Sequence, residues 1–80
     1  MTCTCAPMTR RARLQLAALR LQAVVDRMRA CCRELEAAQL LIRHGDPAGL
    51  DQVAVASREY RAQHAVARAL IDEVRRLECH

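Results

Sequence analysis

Five cysteines, three histidines and one tyrosine are the side chains of this 80-residue chain best equipped for chemistry. Thiolate and imidazole are the donors zinc prefers, arranged tetrahedrally. Cys3-x-Cys5 near one end and Cys79-His80 at the other would supply three sulfurs and a nitrogen if the chain doubled back on itself. That spacing matches no zinc finger or ribbon, and terminal segments are where order is lost first. Reduced thiols are therefore expected there, with neither a metal nor another cofactor. A second grouping, Met28, Cys31, Cys32 and His64, offers soft ligands at neighbouring levels of a helical arrangement. Free cysteine inside a protein usually packs as a small hydrophobe, and that is the reading adopted for Cys31 and Cys32. His64 is expected at a packing seam or its boundary, and Tyr60, the only aromatic side chain, suits an interface anchor.

Catalytic groupings are not visible. There is no nucleophile elbow, no phosphate-cradling glycine loop and no pair of carboxylates set to share acid–base work. Two helices also enclose little concave volume. An enzyme is not expected.

Composition points to helices. The 52% hydrophobic content rests on fifteen Ala, ten Leu and six Val, without Phe or Trp, and only two Gly and two Pro interrupt the chain. The 28% charged fraction falls in phase with the apolar residues, which argues against disorder. No stretch approaches the roughly 18 uninterrupted apolar residues of a membrane span. The opening MTCTCAPMTRRA has no apolar core of a secretion signal, so a reducing, cytoplasmic setting is expected. All thirteen cations are Arg; residues 1–33 carry seven of them against Asp26, and residues 34–80 carry six against eight acids. Such asymmetry occurs on nucleic-acid-binding faces. Without interleaved aromatics or a run of cations, nucleic acid is not the expected partner.

The elements that must position these groups form a simple series. Residues 1–8 read as a flexible tail, and Thr9 as the cap of a helix over 9–44. Within it Leu14, Leu21, Met28, Leu35 and Ile42 alternate with Ala17, Val24, Cys31 and Ala38 at spacings of three and four. Gly45-Asp46 turns the chain, and a second helix follows over 47–78. Its inward positions are taken as Leu50, Val53, Ser57, Tyr60, His64, Ala67, Ile71 and Val74. Flanks of Ala18, Val25 and Cys32 on the first helix and Ala56, Leu70 and Leu77 on the second would then lie on opposite edges. The expected fold is all-α: an antiparallel, coiled-coil-like hairpin, completed by a partner or by homodimerisation into a helical bundle. Arg13, Arg20 and Arg27 recur at seven-residue spacing, as do Arg61, Arg68 and Arg75. Both stripes read as solvated surface, with the first as the candidate contact for an acidic partner. Arg68–Asp72 and Asp72–Arg76 read as i,i+4 ion pairs.

The segment from Arg29 through Cys31-Cys32-Arg33-Glu34-Leu35-Glu36 to Arg43-His44-Gly45-Asp46, with Tyr60-Arg61 and the Ala/Leu-rich run to Leu77, resembles a known family. It is similar to the small helical-hairpin co-chaperones of type III secretion needle subunits, the YscE-like family, over roughly residues 20–77. The resemblance implies a cytoplasmic protein that docks on a tetratricopeptide-like chaperone and prevents premature polymerisation of the needle subunit. Leu21, Val25, Met28, Tyr60, Ala67 and Leu70 are the partner-binding candidates chosen from the apolar pattern. The alternative is a homodimeric four-helix-bundle regulator or scaffold with a basic arm, nucleic acid being one conceivable but not the expected partner of that arm.

Overall fold

The computed structural model describes residues 9–79, so the expectations for residues 1–8 and for a grouping of Cys3 and Cys5 with His80 lie outside it. Two α-helices, α1 (Arg10–Arg43) and α2 (Ala48–Glu78), pack antiparallel as a hairpin. Thr9 starts α1. Its backbone is extended, and its Oγ1 accepts a hydrogen bond from the Ala12 N–H at 3.1 Å, satisfying one of the donors a helix start leaves unpaired. Thirty-four residues without Gly or Pro then propagate unbroken.

The reversal uses His44–Pro47, two residues more than the Gly45-Asp46 turn expected. Gly45 takes φ +78°, a conformation that costs a side-chain-bearing residue about 1–2 kcal/mol. Its N–H donates to Ile42 O at 3.0 Å, and the Asp46 N–H donates to Leu41 O at 2.9 Å. This crossed pair ties off the last carbonyls of α1 in a Schellman closure. Asp46 serves both helices, because its Oδ1 accepts from the Ala48 N–H at 3.0 Å while Pro47 holds φ −65° for the first turn of α2.

The α1 seam matches the heptad reading up to Ile42; that residue, expected inward, is exposed in the last turn of α1, where only the turn and Gly49 stand across from it. Ala17, Val24, Cys31 and Ala38 are buried, and Leu14, Leu21, Met28 and Leu35 are half-buried beside them. The α2 seam is rotated by one residue from that reading. Val53, Tyr60, Ala67 and Val74 face α1, but their companions are Gly49, Ala56, Gln63, Leu70 and Leu77. Leu50, His64 and Ile71, expected inward, are exposed, and Ser57 is half-buried. Two physical causes favour this phase. The expected one would bury the imidazole of His64 and the hydroxyl of Ser57 against hydrocarbon. The observed one sets Gly49 and Ala56 against α1, where small side chains let backbones approach. A Cβ added at Gly49 would sit 2.7 Å from the Ala38 carbonyl oxygen, so no other residue fits there without moving the arms.

Along the middle of the hairpin Val24, Ala67 and Leu70 form the apolar cluster, with Leu21 and Met28 packed against it. Most buried positions are Ala, Gly or Cys, so the area removed from water is small for the length of helix. The molecule is 14 Å across its thin axis, a single layer of helices.

Candidate interaction face

With the α2 seam turned by one residue, Ala56, Leu70 and Leu77 are interior rather than flanking. The true flank of α2 is Leu50, Ser57, His64 and Ile71, and it lies on the same side of the hairpin as Ala18, Val25 and Cys32 of α1. The two flanks thus share one broad face instead of occupying opposite edges. Val25, Met28 and Cys32 of α1 line an open groove of about 430 Å³ with Tyr60 of the α2 seam, whose ring stacks on His64 of the α2 flank, and Arg29, Arg33 and Glu36 stand at its margin. Nearer the turn, Ile42 and Leu50 meet across Gly45-Asp46-Pro47 on that face, and both are exposed.

The reverse face is polar along its centre. Arg27 of α1 makes an ion pair with Glu59 of α2 there, the one such pair within reach among the described residues. In the same register Arg13 stands level with Glu73. Val55 and Val66 are exposed on this side, Val55 in an open groove of about 470 Å³ that it lines with Ala37, Glu34, Asp51 and Gln52, and Leu19 and Leu40 are exposed on the outer side of α1. Arg68–Asp72 and Asp72–Arg76 do not close into ion pairs; exposed pairs gain too little to offset the entropy of holding two long side chains.

The six partner-binding candidates divide between surface and interior. Val25, Met28 and Tyr60 come together at the groove, and Leu21 is half-buried farther along α1. Ala67 and Leu70 are each 7% exposed and belong to the core of the hairpin, so they hold the arms together rather than offer contact. Tyr60 is half-buried with its ring stacked on His64, centroids 6.4 Å apart and planes 16° from parallel. This one-turn pair on α2 supplies a flat, amphipathic ledge to the groove. Leu50 and Ile71 were assigned to the interior by the pattern and are instead exposed parts of the face. The signal that could have found them is the polar character of Ser57 and His64 in the same heptad line.

The thiols separate sharply. Cys31 is fully buried in the seam and Cys32, the next residue, is exposed, as is Cys79. One helical step of about 100° divides Cys31 from Cys32, so the two cannot converge on one ion. Among the described residues no three His, Cys, Asp or Glu side chains are grouped to hold a metal. No described helix is long and apolar enough to cross a membrane.

Compared with known proteins, the chain matches no protein-family profile, no curated protein and no solved structure.

Proposed function

We propose that this protein is a non-enzymatic, protein-binding adaptor whose working part is the broad apolar face. The observation that carries the reading is the shared side of the two flanks. Val25, Met28, Cys32 and Tyr60 border one groove, with Ile42, Leu50 and Ile71 exposed on the same side. A helix layer with one apolar face reaches its stable state by laying that face on another element. Contiguous apolar surface of this kind marks interaction sites in general. The resemblance to the needle-subunit co-chaperones gives the adaptor its specific form, in which the covered surface belongs to a tetratricopeptide-like chaperone and the outcome is a needle subunit kept from polymerising.

The test is affinity capture of the tagged full chain with candidate partners co-expressed, using Leu50→Asp with Ile71→Asp to spoil the apolar face and Val66→Asp to alter the reverse one. All three positions are exposed, so helicity by circular dichroism is expected to stay near that of the parent chain. Capture is expected to vanish for the first variant and persist for the second. Capture that ignores both changes refutes the adaptor reading. If a tetratricopeptide-like chaperone and a needle subunit fail to co-purify while another protein does so through this face, the co-chaperone form falls and the adaptor stands.

A further inference from the structure

We infer that the occupant of the apolar face is a single amphipathic helix of a partner protein, carrying carboxylates along the flank that runs beside α2 and lying in the trough between α1 and α2. This rests on the adaptor reading and adds the chemistry of the partner.

The first argument is where charge is missing. The two lines of residues that border the trough on α1, from Leu14 to Ile42, contain no Arg, Asp or Glu, and neither do those on α2 from Leu50 to Val74. The floor of the trough is therefore hydrocarbon, relieved by Ser57, His64, Gln39 and the Tyr60 hydroxyl.

The second argument is where charge is found. One step outward, the rim of α2 repeats Arg61, Arg68 and Arg75, all exposed. On α1 the corresponding rim holds Arg29 and Arg43 with Glu36 between them, and Arg33 also reaches the groove. Arg68 and Arg75 border a shallow depression with Ile71 and Asp72, so Asp72 tempers that end without reversing its sign. The rim is thus basic along α2, whereas the α1 rim, with Gln15, Gln22 and Glu36 beside Arg29 and Arg43, is only weakly so. The reverse face differs, because its stripe of Arg13, Arg20 and Arg27 stands opposite Glu59 and Glu73 of α2, and Arg27 already pairs with Glu59. The stripe that borders the trough is the one on α2, whereas the α1 stripe lies on the reverse face, where Arg27 is already engaged.

The third argument chooses between occupants. A second copy laid face to face with α2 over α2 would bring its arginine rim against the same rim. With α2 over α1 it would meet only Glu36 as a carboxylate, so it answers the α2 stripe poorly. A helix with an acidic flank meets that stripe with opposite sign. Two ridges with a trough between them also seat a third helix at ordinary interaxial distances of about 8–10 Å. A partner helix of about 20 residues spans roughly 30 Å, enough to run past Arg61 and Arg68 on one side and Arg29 and Arg33 on the other.

The experiment uses the full chain and a set of labelled amphipathic peptides of about 20 residues that differ in apolar sequence, each made with Glu and with Lys along one flank. Binding is read by fluorescence anisotropy, with sedimentation velocity on the unliganded protein. Glu-flanked peptides are expected to bind at least about tenfold more tightly than their Lys-flanked twins, with the difference shrinking as salt rises. Arg61→Glu with Arg68→Glu is expected to reverse the preference, and Arg13→Glu with Arg20→Glu to leave it unchanged. Equal binding of the twins, absence of binding across the whole set, or a tight dimer broken by Ile71→Asp each overturns the proposal. Partner capture that is lost in Leu50→Asp/Ile71→Asp yet indifferent to Arg61→Glu/Arg68→Glu overturns the acidic helix alone and leaves the adaptor reading intact.

Discussion

Replacing Gly49 by alanine is the most direct test of how the two arms meet. On helix propensity alone the change should stabilise the chain, by at most about 1 kcal/mol at a first-turn position. The packing opposes it. The new methyl carbon would lie 2.7 Å from the Ala38 carbonyl oxygen, 2.8 Å from Ile42 Cγ1 and 3.0 Å from the Ile42 backbone nitrogen. Comfortable contacts between such atoms begin near 3.5 Å, so the arms must part by roughly 0.5–1 Å. Two of the three obstructing atoms are backbone and cannot rotate aside. Overpacking of this sort costs about 1–3 kcal/mol, which set against the propensity gain leaves a net loss of up to about 2 kcal/mol. For a chain of this size that is a fall in Tm of up to roughly 15 °C. Thermal melts of the full chain by circular dichroism at 222 nm, at matched protein concentrations, read it directly. Adding Ile42→Ala removes the side-chain obstruction but not the carbonyl, so only part of the loss should return. Gly45→Ala makes a useful contrast, since nothing lies within 4 Å of its added carbon and its cost comes from φ +78° alone. Should Gly49→Ala melt at or above the parent temperature, the arms do not meet at Ala38 and the seam assigned to α2 is wrong.

Four further outcomes follow from the same geometry. A double-mutant cycle on Arg27→Ala and Glu59→Ala should give a coupling of only about 0.2–1 kcal/mol, because Arg27 is 61% exposed, and it should shrink in high salt. Under native conditions iodoacetamide should label Cys32 and Cys79 but spare Cys31, as peptide mass spectrometry will report, with Cys31 reacting only on unfolding. Cys31→Leu should destabilise by about 1–3 kcal/mol through overpacking, whereas Cys31→Ala should cost less than that. Thr9→Ala removes the cap on α1 and should cost about 1 kcal/mol, visible as lost hydrogen-exchange protection at Ala12 and its neighbours.

Which parts of this arrangement were legible in the amino-acid order depends on how much each position is constrained. The α1 seam was readable from Leu14 to Ala38 because every residue at its two heptad lines is apolar and nothing competes with them, but Ile42 continues the pattern past the point where α2 covers it. The bend was readable because Gly45, Asp46 and Pro47 each suit one conformation of the closure. On α2 two adjacent lines were nearly as apolar as each other: Leu50 and Ile71 advertised one phase, Leu70 and Leu77 the other. Size decided between them, and size acts only across the interface, where Gly49 faces Ala38 and Ile42. Counting hydrophobic residues therefore rewarded the larger side chains and put them inside. The consequence for the candidate site is substantial, since one residue of rotation converts two separate edges into one face. It also removes Ala67 and Leu70 from the contact surface while adding Leu50 and Ile71.

The hairpin topology has a mechanical corollary. α1 begins and α2 ends at the same pole, so tension applied to the two ends peels the arms apart instead of sliding one along the other. Peeling ruptures one rung at a time, from Leu14 and Leu77 inward to Ala38 and Gly49, and each rung is only a small cluster of aliphatic groups. Such a molecule yields gradually under load, like a zipper with its stop at Gly45, and rezips from the stop when the load is released.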